Sequence, residues 1–181
     1  GPEDSDRYCS KRKKEIVCED ELMYMMEDSD ILLTIERNAE LGFRQLMCRY
    51  REPVYWHIRR IVIHHADAQD ATQETFIRVF RSIAKFRWEC SLRVWIYRIA
   101  THEAFRQIER RHDVCRSLDD ACAEAREICA EEYVNFEDAE AVRLQNAILS
   151  LPPKQQLAFN MRYYDEMGYD EIAGVIGSTM S

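Results

Sequence analysis

Asp67 to Phe86 reads DAQDATQETFIRVFRSIAKF, and its spacing decides the fold class. Phe76, Val79, Phe80 and Ile83 recur at i, i+3, i+4 and i+7, which gathers them on one face of an α-helix, while Asp70, Gln73 and Glu74 point elsewhere. The spacing predicts a helix beginning near Asp67 that buries those four apolar residues. Downstream, a break over Phe86 to Ser91 leads into a helix expected from about Leu92 to Arg111, with Leu92, Ile96 and Ile99 inward. Upstream, Asp30 stands at a cap position ahead of Ile31, Leu32, Ile35 and Ala39, followed by Phe43, Leu46, Met47 and Tyr50, again at helical spacing. Pro53 is expected to open or kink the next segment, Val54 to His64, whose Val54, Ile58, Ile61 and Val62 form another stripe. Four helices of this kind make a compact bundle.

The same periodicity covers most of the chain. Only 5 Gly and 4 Pro punctuate 181 residues, and no segment alternates apolar with polar residues as a half-buried strand does, so the fold class is all-α. Hydrophobic residues make up 46 % and charged residues 32 %, which supplies packed cores and argues against wholesale disorder. No apolar run nears the roughly 20 residues of a membrane span. The N-terminal GPEDSDRYCSKRKKE lacks the apolar segment of a signal peptide. No membrane insertion and a cytoplasmic location are therefore expected. Seven cysteines, at 9, 18, 48, 90, 115, 122 and 129, form no C-x-x-C pair, so neither a zinc ribbon nor a disulfide framework is indicated. Cys115, Cys122 and Cys129 recur at intervals of about 10 Å along a helix, too far apart to share a metal. His64 and His65 diverge by about 100° on a helix and do not face one ion easily.

Charge divides the chain. The formal net charge is -8, yet residues 76–112 are rich in Arg and residues 113–140 are dominated by Asp and Glu. That switch marks the expected boundary. It gives a flexible N-terminal arm over 1–18, a helical domain over 19–112, an acidic linker over 113–140 and a second helical block over 141–181. In the second block Leu144, Ile148 and Leu151 form one stripe. Pro152-Pro153 ends that helix and sets Pro153 at the first position of the next, where Leu157, Met161 and Tyr164 continue inward. Gly168 permits a turn into Tyr169 to Ile176, with Gly177 at the C′ position and Ser178 as cap of a further helix.

Two constellations carry function. The stretch KFRWECSLRVWIYR, 85 to 98, sets two of the three tryptophans among Lys85, Arg87, Arg93 and Arg98. On the helix that follows, Arg98, His102, Arg106 and Arg110 fall at successive i+4 positions. A cationic ridge beside aromatic rings suits phosphates and unstacked bases, because the charge tracks the backbone while the rings take stacking. The tail YDEIAGVIGS, 169 to 178, has the pattern of a helix-turn-helix opening, with Tyr169, Glu171 and Ile172 on a short first helix, Ala173 at a tight crossing, Gly177 in the turn and Ser178 as cap. Gly-rich phosphate loops, nucleophile elbows and H-E-x-x-H are lacking, so no enzyme activity, catalytic residue, metal or cofactor is expected.

With both blocks in hand, the chain resembles bacterial extracytoplasmic-function (ECF) sigma factors, the small promoter-recognition subunits of RNA polymerase. DAQDATQETFIRVFR at 67 to 81 is similar to their region 2.2, FRWECSLRVWIYRIA at 86 to 100 to regions 2.3 and 2.4, and LPPKQQLAFNMRYY at 151 to 164 with the YDEIA tail to region 4. The resemblance implies that Asp70, Gln73, Glu74 and Ile77 dock on the β′ clamp helices of core polymerase, with the β flap as a further contact. It implies that Phe86, Arg87, Trp88, Glu89, Cys90, Ser91 and Arg93 form a loop capturing a flipped base of the minus-ten element. Trp95, Arg98, His102, Arg106 and Arg110 then line the melted strand. Region 4 is expected to read the minus-thirty-five element in promoter DNA, and an anti-sigma factor is implied as partner. The family usually has a small residue, often Gly, where Trp88 stands, and a Ser or Thr where Gly168 stands. The chain ends at Ser181, near where the family's recognition helix begins, so poor reading of the minus-thirty-five element is expected. The rival reading is a helix-turn-helix regulator or adaptor that acts without polymerase.

Overall fold

The computed structural model describes residues 26–117 and 139–179. The expected arm over 1–18, most of the acidic linker with Cys122 and Cys129, and Ser181 lie outside those residues. The described chain is built of α1 (Asp28–Arg37), α2 (Ala39–Val62), α3 (His65–Ser82), a 3-10 turn (Ile83–Lys85), α4 (Leu92–Ser117), α5 (Ala139–Leu149), α6 (Pro153–Tyr163) and α7 (Tyr169–Thr179). It is all-α among the described residues, and no described helix is long and apolar enough to cross a membrane. The chain divides into two compact units, Gly1–Pro53 and Val54–Ser181.

In the first unit α1 opens at Glu27, so Asp30 lies in the first turn with Asp28 rather than at the cap. The earlier start is held by α2: Tyr50 donates its hydroxyl to Asp28 Oδ1 at 2.7 Å, Arg49 pairs with the same carboxylate at 3.2 Å, and Arg49 also donates to the Met26 carbonyl. Asn38 ends α1 and caps α2, its Oδ1 accepting the Leu41 N–H at 3.1 Å. Gly42 permits the tight hairpin, because a Cβ there would lie 2.5 Å from both Cγ1 and the main-chain nitrogen of Ile35. Pro53 lies inside α2 and does not open a new element. It removes one helical donor, but Leu46, Tyr50, Val54, Ile58 and Val62 are all buried. Their four-residue spacing carries the apolar stripe through the proline.

In the second unit Ile63 ends α2 in the left-handed region, φ 70°, and His64 leads into α3 two residues before the expected start. Phe76, Val79 and Ile83 are buried as expected, but Phe80 is 54 % exposed. The reason lies in small residues: Ala68, Ala71, Thr72 and Thr75 are buried too. They centre the stripe about one 100° step away from Phe80. Helix α3 packs on α4, pinned at one end by Asp67, which takes Arg111 at 2.5 Å and Gln107 at 3.3 Å, and further along by Arg78 on Glu103 at 2.6 Å. From α4 the core takes Leu92, Val94, Ile96, Tyr97, Ala100 and Ala104.

Pro152 and Pro153 stand at the N-cap and first position of α6, as expected. Ile148, Leu157, Met161, Ile172 and Val175 are buried, whereas Leu144 and Tyr164 are exposed, against the expected stripes. Tyr164 is the C-cap of α6, beyond its last inward position. Helix α7 packs on α6 and also on α4. It runs through Gly177 and Ser178 to Thr179, so neither residue takes the C′ or cap position that spacing assigned to it.

Candidate nucleic-acid interface

Ser91 starts α4, its Oγ accepting the Val94 N–H at 3.2 Å and its carbonyl the Trp95 N–H at 3.1 Å. This N-cap fixes where the helix begins, and with it the aim of the loop before it. Phe86 sits between two tryptophans, with ring centroids 5.6 Å from Trp88 and 5.3 Å from Trp95. Trp88 is 60 % exposed and has φ 60°, a left-handed backbone. That conformation explains a preference for Gly at such a position, since a Cβ there meets the following carbonyl. Arg87 and Glu89 are exposed beside it, and Cys90 accepts Arg98 Nη1 at 3.6 Å.

The basic ridge is less uniform than its spacing suggests. Arg110 and His102 are exposed. Arg106 lies 3.8 Å from the buried carboxylate of Glu103, which also takes Arg78 and stands 3.7 Å from His102. Glu103 was not legible as a partner, because its contacts combine neighbours on α4 with a residue of α3. Arg93 donates to the main-chain carbonyl of Asp165 and lies over the Tyr97 ring, while Arg98 Nε donates to the Gly174 carbonyl at 2.8 Å. Both arginines thus reach the α6–α7 hairpin.

On α3, Asp70, Gln73, Glu74 and Ile77 are all exposed along one face, with Phe80 on the same helix. In the hairpin, Gly168 is the N-cap of α7. Lacking a hydroxyl, it keeps half of a capping box, its N–H donating to Glu171 Oε2 at 2.9 Å. Tyr169 is exposed under the Arg162 guanidinium, and Ile172 is buried. Ala173 is exposed, and it is Gly174 that makes the close approach, its missing Cβ lying 3.2 Å from Val94 Cγ1.

Comparison with known families matches residues 46–113 to Sigma-70 region 2 and residues 141–180 to Sigma-70 region 4. The chain belongs to the sigma-70 family, in its ECF group. Among its relatives, the RNA polymerase sigma-H factor of Pseudomonas aeruginosa is 24 % identical over 159 residues, covering 83 % of this chain and 82 % of the relative. The ECF RNA polymerase sigma-E factor of Escherichia coli is 26 % identical over 160 residues, covering 83 % of each. The RNA polymerase sigma factor YlaC of Bacillus subtilis is 27 % identical over 144 residues, covering 73 % and 77 %. The solved structure of CnrH in complex with the cytosolic domain of CnrY shares the fold, with a TM-score of 0.58, 19 % identity and coverage of 83 % and 82 %. As a sigma factor this protein is a non-enzymatic subunit that directs RNA polymerase to promoter DNA and starts transcription. A regulator working without polymerase is not favoured, because both sigma-70 regions are matched and the relatives are named RNA polymerase sigma factors.

Proposed function

We propose that this sigma factor opens and reads its promoter with the loop Phe86 to Ser91 and with α4. The observation that carries the reading is the aromatic group of half-buried Phe86 and Trp95 and exposed Trp88 at the capped start of a cationic helix. Extruding a base costs a few kcal/mol, and stacking on an aromatic ring returns about 1–3 kcal/mol per base. Arg93, Trp95, Arg98, His102, Arg106 and Arg110 follow the melted strand. Asp70, Gln73, Glu74 and Ile77 dock on the β′ clamp helices. The region 4 hairpin, with Tyr169, Glu171, Ile172, Ala173, Gly177 and Ser178, serves the minus-thirty-five element and the β flap.

In this reading residues 19–112 form region 2, 113–140 the linker, 141–181 region 4, and 1–18 an arm. The protein acts in the cytoplasm, where polymerase and DNA are. A protein partner that holds it inactive, an anti-sigma factor, completes the set; the structurally similar CnrH is itself bound to the cytosolic domain of CnrY.

Transcription in vitro with core polymerase and genomic templates tests this. Promoter-dependent initiation is expected, and Asp70→Ala with Gln73→Ala should weaken polymerase binding by about tenfold, the equivalent of 1.4 kcal/mol. Absence of initiation, or binding indifferent to the α3 face, would sink the proposal.

A further inference from the structure

Two of the carboxylates that face inward in the second unit have their partners at close range. Asp165, buried between α6 and α7, takes Arg60 Nη1 at 3.1 Å and the Tyr97 hydroxyl at 3.4 Å, with His57 Nδ1 at 3.2 Å. Asp67 takes Arg111 and Gln107. Glu103 is contested. Its side chain is 3 % exposed, and three groups approach the same oxygen, Oε1: Arg78 Nε at 2.6 Å, His102 Nδ1 at 3.7 Å and Arg106 Nη1 at 3.8 Å. Only the first stands at the distance of a charge-assisted pair.

The three competitors differ in origin. His102 and Arg106 belong to α4, next to Glu103 and three residues on, whereas Arg78 reaches over from α3. A buried carboxylate requires a compensating charge. Were Arg78 absent, the nearest permanent cation would be Arg106, at an i+3 spacing where such pairs form readily. Arg106 is needed outside. In the row Arg98, His102, Arg106 and Arg110, Arg98 already donates to the Gly174 carbonyl, which leaves Arg106 and Arg110 as the remaining guanidiniums. The Arg106 side chain is 41 % exposed and stands beyond hydrogen-bond distance of the carboxylate.

We infer that Arg78 is the internal counter-ion of Glu103, and that by occupying this carboxylate it keeps Arg106 available for a DNA phosphate. Arg78 is thus a positioning residue for promoter binding that lies on a different helix from the row it serves. The inference rests on the proposed DNA-facing role of α4. It separates Arg78 from the exposed cations around it: its contribution passes through Glu103 and Arg106, so removing the carboxylate makes Arg78 dispensable.

Holoenzyme binding to a fluorescent promoter fragment, recovered from the transcription test above, reads this across about 50–200 mM KCl. Arg78→Gln keeps most of the stem and removes the charge. It should cost one phosphate contact, lowering the slope of log affinity against log salt by about 0.7–0.9, so that its deficit shrinks about threefold over that range. Arg106→Ala should lower the slope equally, and Arg78→Gln should add nothing to it. Glu103→Gln combined with Arg78→Gln should restore the wild-type slope. A deficit that persists in this double variant would show that Arg78 touches DNA itself, and the inference is overturned. It is overturned equally by a wild-type slope in Arg78→Gln, which would leave Arg78 a brace between α3 and α4. Should Arg78→Gln alone not fold, the double variant, which leaves no charge unpaired, decides: a wild-type slope that Arg106→Ala then lowers supports the inference, and a slope already lowered refutes it. In these outcomes the sigma reading stands as long as wild type initiates. If Arg106→Ala leaves the slope unchanged, or no promoter is recovered, the DNA-facing role of α4 fails and takes the inference with it.

Discussion

Trp88 combines two properties that seldom meet, a left-handed backbone and a large exposed ring. The left-handed region costs a non-glycine residue about 1–2 kcal/mol, while glycine adds back about 0.4–1 kcal/mol of unfolded-state entropy. Trp88→Gly should therefore leave the protein at least as stable as wild type in denaturant unfolding. In the holoenzyme the same change should lose the stacking on one base, about 1–3 kcal/mol or roughly five- to 150-fold in affinity for the melted strand. Stability and affinity are expected to part company. A variant that loses both together would mean that the ring supports the loop rather than the DNA. The position was singled out by comparison with the family's preference for Gly; the physical reason, a positive φ, is visible only in the fold.

Glycines show how the same substitution changes sign between helices. At Gly42 a Cβ would meet the backbone of Ile35 at 2.5 Å, and backbone cannot swing aside. Gly42→Ala is expected to cost about 1–3 kcal/mol through overpacking. At Gly177, inside α7, an added Cβ meets nothing within 4 Å, so Gly177→Ala should gain up to about 1 kcal/mol of helix propensity. Urea unfolding of the two variants reads both signs, and equal effects would refute the distinction. At this scale the periodicity of the chain was a good guide to where helices lie. The start of α6 followed from Pro153, and the buried Phe76, Val79 and Ile83 from spacing. Misplacements came where the pattern gave large apolar residues all the weight. Phe80 is turned out because four small residues share the buried face, and Pro53 is absorbed because the stripe continues on both sides of it.

Across the whole molecule, the ties between region 2 and region 4 converge on Asp165, and one of them makes stability depend on alkali. Burial, then the negative charge of Asp165, raises the Tyr97 hydroxyl well above its ordinary pKa of 10.0. The folded chain keeps that proton where the unfolded chain has lost it. The contribution is complete below pH 10 and fades as pH climbs from there toward the raised folded value. The free energy of unfolding should fall above pH 10 with a slope of up to about 1.4 kcal/mol per pH unit from this group. Tyr97→Phe should flatten the slope, leaving the share that Tyr50, raised by its own burial, contributes. An unchanged slope in Tyr97→Phe would show that the hydroxyl is not sequestered.

The amino-acid sequence by itself determined the helical class, the positions of most helices, the two blocks with a change of charge between them, and the aromatic-basic stretch beside a helix-turn-helix tail. All of these are local properties, written in spacings of three to seven residues and in the residue types that cap, break or charge a helix. Only the tertiary structure decided which charges face solvent and which are spent. Asp165 and His57 stand 108 positions apart, and no periodicity links positions that far separated. That Arg93 and Arg98 reach the α6–α7 hairpin, and that Glu103 is shared by Arg78 and Arg106, follows from how helices pack. A carboxylate's partner is set by three-dimensional proximity, and burial makes that partner obligatory.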